Sequence, residues 1–181
     1  MTLQDIFREH RDTLIAEWTE AMLGTYPFET VGFLRSRKDQ FSNPVGHITS
    51  AAAEAMYDAI AGEDVDLNVI TTALEDLVKV RAIQQFSPEQ ALGVLCIVKP
   101  LLRKKLMPQV REHGLFDAWL DAESRIDSLL LMGFGFHAAC REKLHMMKVD
   151  EYKNRYAQVI RRAERIVDNP AGEPEISKPI A

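Results

Sequence analysis

The sequence predicts an all-α protein that ends in one long helix. Three observations carry this. Apolar residues recur at steps of three and four along most of the chain, the Val/Ile-rich alternation and hairpin turns of a sheet protein are missing, and helix start and stop signals flank the periodic segments. The 181 residues, 46% hydrophobic and 27% charged with 9 Gly and 8 Pro, have the composition of an ordinary globular domain. A chain of this length buries about 70% of its unfolded surface, so neither a metal nor a disulfide is required for a core.

The first helix carries Leu3, Ile6, Phe7, His10, Leu14, Trp18 and Met22 on one face, with Thr2 as N-cap and Gly24 as its stop. His10, between Phe7 and Leu14, is expected as a buried, hydrogen-bonded core histidine. The segment TYPFETVGFLRSRKDQF contains Pro27 and Gly32 and has mixed periodicity, which predicts a short helix between two loops. Asn43 then caps a helix with Pro44 at its first position, where the missing N–H costs nothing. That helix buries Ile48, Ala52, Ala55, Met56, Ala59 and Ile60 and ends at Gly62. Asp64 or Asp66 caps the next, which carries Leu67, Ile70, Leu74, Leu77, Val78 and Arg81. A cation at the end of an apolar face snorkels to solvent, neutralises helix-end carbonyls or meets an anionic ligand. Ser87-Pro88-Glu89-Gln90 is a capping box opening a helix through Leu92, Leu95, Val98, Leu102 and Leu106. Pro100 inside it predicts a kink near Ile97 or a division into two helices.

After Pro108 and Gly114 the pattern resumes near Phe116 and meets no Gly-Pro break until Asn169-Pro170. A helix of that length spans about 75 Å, more than one globular core covers. From Val149 the apolar positions are Val149, Tyr152, Tyr156, Val159, Ala163 and Ile166, alternating steps of three and four as a heptad seam does. Lys153, Arg155, Arg161, Arg162, Glu164 and Arg165 flank it. A stripe this narrow suits a short two-stranded coiled coil and a homodimer interface; the alternative is a helix folded back on its own domain. The expected organisation is a compact domain over 1–145, an exposed interaction helix over 146–168 and a disordered tail over 169–181 with three prolines. Residues 141–168 hold eight Lys/Arg against five Asp/Glu, which reads as a solvated face beside the seam or a docking site for an acidic partner.

The net charge of −5 argues against a nucleic-acid partner. Cys96 and Cys140 form no CxxC pair and are expected as small buried hydrophobes in a reducing compartment. The charged start MTLQDIFREHRD and the lack of an apolar run near 20 residues predict a cytoplasmic protein with no membrane insertion. His10, His47, His113, His137 and His145 show no metal-ligand spacing, and His137 and His145 lie two turns apart. No phosphate loop, nucleophile elbow or paired-carboxylate motif occurs, so no catalytic residue, metal or cofactor is expected. Gly133-Phe134-Gly135 lacks the strand of a dinucleotide fingerprint and instead lets two helices approach closely. Any ligand pocket is expected between the early helices and the Ser87–Met107 segment, lined by Trp18, Phe33, Phe41 and Met56 with Arg81; the same aromatics also serve as core.

LIAEWTEAMLGTYP, FSNPVG and LVKVRAIQQFSPEQALGVLCIVKPLLR resemble the N-terminal sensory domain of the RsbR/RsbRD co-antagonist proteins of the bacterial stressosome, over about residues 3–145. The resemblance implies a globin-like fold without haem, dimeric through its last helices, leading into a phosphorylatable STAS output domain. The sequence leaves no room for that domain after about Pro170, which implies a freestanding module whose exposed helix takes an unidentified partner in trans. The expected function is a non-enzymatic, dimeric sensory or regulatory module, with a small-molecule ligand possible in its pocket. Two other readings stand beside it. A haem-binding gas sensor needs a proximal histidine over 66–85, where there is none. An adaptor subunit of a membrane or redox complex differs from the sensor only in having no ligand.

Overall fold

The computed structural model describes residues 1–36 and 41–168, apart from the side chains of Ser36 and of residues 166–168. The described residues form α1 (Leu3–Leu23), α2 (Phe28–Ser36), α3 (Pro44–Ala61), α4 (Leu67–Ile83), α5 (Pro88–Cys96), α6 (Val98–Glu112) and α7 (Phe116–Asp168), with no strand among them. The expected tail, 169–181, lies outside the described residues. The chain divides into two compact units, Met1–Arg141 and Glu142 onward.

Local chemistry sets the helix ends in the first unit. Thr2 and Asp5 form a reciprocal capping box on α1, and Ser87 and Gln90 form one on α5. Asn43 Oδ1 accepts from the Gly46 N–H at 2.8 Å, while its Nδ2 donates to the Leu34 carbonyl at 2.6 Å and ties α3 to α2. Asp66, not Asp64, caps α4. Gly62 closes α3 in the left-handed region at φ 79°, which glycine adopts without a Cβ penalty. The segment with Pro100 resolves into two helices meeting at Ile97, which places the proline in the first turn of α6, where backbone N–H groups lack intrahelical partners anyway. Pro108 does not end α6. The helix carries it as an interior residue and stops one turn later at Glu112.

The core of the first unit gathers Ile6, Phe7, Leu14 and Trp18 from α1, Met56, Tyr57 and Ile60 from α3, Leu74, Leu77 and Val78 from α4, Leu95 from α5, Leu102 and Leu106 from α6, and Trp119 and Ile126 from α7. Two buried polar side chains are paid for by hydrogen bonds between elements. Trp18 Nε1 donates to the Val94 carbonyl at 2.8 Å, and the Tyr57 hydroxyl donates to the Phe7 carbonyl at 2.8 Å. Gly133 lets α7 close on its neighbours, since a Cβ there would stand 3.2 Å from Leu95 and 3.3 Å from Leu92; Gly135 meets no such limit. A smaller cluster, Leu23, Tyr26, Val31 and Leu34 with Phe86 against it, sits beside the α1–α2 turn.

Candidate functional site

The α1–α2 turn and the α4–α5 turn meet around one buried cation. Helix α4 ends in a Schellman arrangement. The Phe86 N–H donates to the Arg81 carbonyl and the Gln85 N–H to the Ala82 carbonyl, which puts Gln85 at φ 66°, the only non-glycine residue at positive φ among those described. The apolar contact that accompanies this motif is here a cation–π contact, with the Arg81 guanidinium 4.3 Å from the centre of the Phe86 ring. The Tyr26 ring stands 5.2 Å from the same guanidinium, and the two rings pack edge to face against each other. Glycine is the ordinary residue at the position of Gln85. Gln85→Gly is expected to raise stability by about 0.5–1 kcal/mol in urea unfolding, the relief of left-handed strain less the added freedom of the unfolded chain.

Arg81 is 1% exposed, so it neither snorkels to solvent nor reaches its own helix-end carbonyls. Nη2 donates to Thr25 Oγ1 at 2.8 Å and to the Gln90 carbonyl at 3.1 Å. Nε is sealed from solvent and has no partner. Burial holds the guanidinium pKa below its ordinary value; the Tyr26 hydroxyl opposes this, and no described carboxylate acts on it. Burial in turn raises the Tyr26 pKa against the pull of Arg81, and its hydroxyl donates to Gln84 Oε1 at 3.0 Å. A cleft of about 540 Å³ opens beside this group, and its wall includes Thr25, Tyr26, Phe86 and Gln90, the residues that hold the guanidinium.

The five residues expected to share a pocket do not come together. Trp18 and Met56 are fully buried in the main core. Phe33 is 52% exposed, because α2 turns its neighbours Val31 and Leu34 inward, and Phe41 is 95% exposed. Arg81 lies buried behind the cleft wall and does not line it; the aromatics that do are Tyr26 and Phe86. Sequence reasoning missed those two, although each stands just past a helix stop. The cysteines are not buried. Cys96, the last residue of α5, is exposed, and Cys140 is half-buried. His10 is half-buried and not a core residue, while His47, His113 and His145 are exposed. His137 is 3% exposed and its Nε2 has no partner. Among the described residues no three His, Cys, Asp or Glu side chains gather as a metal site, and no helix is long and apolar enough to cross a membrane.

The second unit is helical to Asp168. None of its described side chains is buried. Tyr152, Tyr156, Val159 and Ile160 are exposed, Tyr156 by 69%, as is Ala163, and Val149 is half-buried. The side chain of Ile166, the last expected seam position, lies outside the described residues. Arg155 pairs with Glu151 at 2.7 Å and Lys153 with Asp150 at 3.6 Å, one turn apart on the helix surface. Within the first unit, α7 also exposes Leu120, Leu131 and Phe134.

A family model described as the RsbT co-antagonist protein rsbRD N-terminal domain matches residues 12–151. No curated protein matches the chain, and no solved structure does.

Proposed function

The chain belongs to the RsbRD N-terminal domain family, and from that premise we propose that it is a cytoplasmic regulatory module of the stressosome type, sensory and not catalytic, with a globin-like domain. In this reading it forms a homodimer along the heptad seam of α7 and passes its state to a partner protein in trans. One observation carries the reading: the helical stretch from Glu142 to Arg165 leaves Tyr152, Tyr156, Val159 and Ala163 exposed at heptad spacing. Most helical stability in proteins comes from packing an apolar face, so a helix with that face uncovered gains from a second copy of itself. Signalling then requires that a ligand or partner bind one dimer arrangement more tightly than another, since equal affinity for both shifts nothing.

Sedimentation of the intact chain and of a version ending at Met147 tests the dimer. The intact chain is expected to sediment as a dimer and the shortened one as a monomer. A monomer in both cases, or a dimer in both, removes the seam as the interface.

A further inference from the structure

Helix α6 carries an inference beyond the regulatory reading, and it holds whether or not α7 forms a dimer. The helix holds five Lys/Arg, at Lys99, Arg103, Lys104, Lys105 and Arg111, against one acid, Glu112, on a chain whose net charge is −5. Val98, Leu102, Leu106 and Val110 bury one face, so the cations spread over the rest of the helix surface. Two of them are already engaged by α7. Lys99 pairs with Asp127, and Arg103 with Glu123 at 2.7 Å, so carboxylates one turn apart on one helix meet cations one turn apart on the other. Lys104, Lys105 and Arg111 are exposed, and no described carboxylate pairs with them. Glu9 of α1 reaches α6 but accepts from Gln109 instead, at 3.4 Å.

We propose that the outer face of α6 docks an acidic segment of a partner protein, with Lys104, Lys105 and Arg111 as its counter-charges. Glu123 and Asp127 show the chemistry that the open side lacks, carboxylates spaced by whole helical turns. Lys104 and Arg111, seven residues apart, share a face and stand about 10 Å from each other along the axis, a span that a segment with two or three acids matches. Two other polyanions fit less well. None of the exposed large apolar side chains is on α6, so nothing there inserts into a lipid surface, and the helix has no aromatic residue to stack on a nucleotide base. The net charge of −5 opposes a dense polyanion at long range, while screening leaves a local contact with a few carboxylates intact. Exposed ion pairs are individually weak, so the contact is transient and sensitive to salt.

Fluorescence anisotropy of a labelled hexaglutamate peptide titrated with the full chain, beside a hexaglutamine peptide, a short DNA duplex and phosphatidylglycerol vesicles, tests the assignment. Hexaglutamate is expected to bind saturably at low salt and more weakly as salt is raised, and hexaglutamine not to bind. Lys104→Glu, Lys105→Glu and Arg111→Glu combined, all at exposed positions, are expected to weaken hexaglutamate about tenfold or more, the loss of three ion pairs. Lys143→Glu with Lys148→Glu, which removes two exposed cations outside α6, is expected to leave the affinity unchanged. No saturable binding of hexaglutamate, equal loss in both variants, or tighter binding of the duplex or the vesicles than of hexaglutamate would each overturn the proposal.

Discussion

Trp18→Ala is expected to lower the unfolding free energy by about 3–5 kcal/mol, the range for deleting a large aromatic from a packed core. The ring is 1% exposed and belongs to the main cluster that joins α1, α3, α4, α5, α6 and α7. Its removal leaves a cavity that rigid helices on several sides cannot fill by collapse. It also strands the Val94 carbonyl, which now accepts from Trp18 Nε1 at 2.8 Å across a sequence gap of 76 residues. An unsatisfied buried acceptor adds about 1–3 kcal/mol. Since domains of this size are stable by about 5–15 kcal/mol, one substitution removes a large share of the total. Trp18→Phe separates the two contributions, because it keeps most of the packing and loses only the hydrogen bond. Urea unfolding of both variants reads the result, and a loss below about 1 kcal/mol for the alanine would show that α1 does not organise the core.

Helix boundaries were legible wherever a capping chemistry is written into a few adjacent residues. Thr2, Asn43-Pro44, Ser87 with Gln90, and Gly24 and Gly62 each act within one turn, and the structure uses all of them. The buried faces of α1, α3 and α4 followed from spacing for the same reason, apart from Leu67, which is 64% exposed, and His10, Ile48 and Ala59, which are half-buried. Tyr57, off the expected face of α3, was not foreseen, because its burial depends on a carbonyl of Phe7 50 residues away. Phe33 and Phe41 show the converse limit. Their hydrophobicity suggested a pocket, but the short helix α2 has one inward edge, and Val31 and Leu34 occupy it.

The Arg81 site was hidden by a substitution within a familiar signal. A glycine at position 85 would have marked the helix end and placed Phe86 at the distance from Arg81 where the Schellman motif makes its side-chain contact. Glutamine there concealed the turn. Tyr26, the second ring, comes from a turn 55 residues earlier, so only the tertiary structure brings it to the cation. The exposed apolar stripe of α7, by contrast, was readable because heptad spacing is local. Its partner is not local at all, and no feature of one chain's spacing identifies it.

The seam has a sharp geometric consequence. If two copies of α7 pack through Tyr152, Tyr156, Val159 and Ala163, cysteines on that stripe face each other, whereas cysteines at Asn154 or Gln158 stand on the opposite side of the helix and face solvent. All of these positions are exposed in the single chain, so exposure alone does not distinguish them. Disulfide bonding needs Cα atoms within about 7 Å, which makes the readout nearly all-or-none. The measurement is oxidative cross-linking at micromolar protein in a background with Cys96→Ser and Cys140→Ser, followed by non-reducing electrophoresis. Tyr156→Cys is expected to give a covalent dimer, and Asn154→Cys and Gln158→Cys to remain monomeric. Equal cross-linking at all three positions, or none at position 156, would contradict a dimer built on the heptad seam.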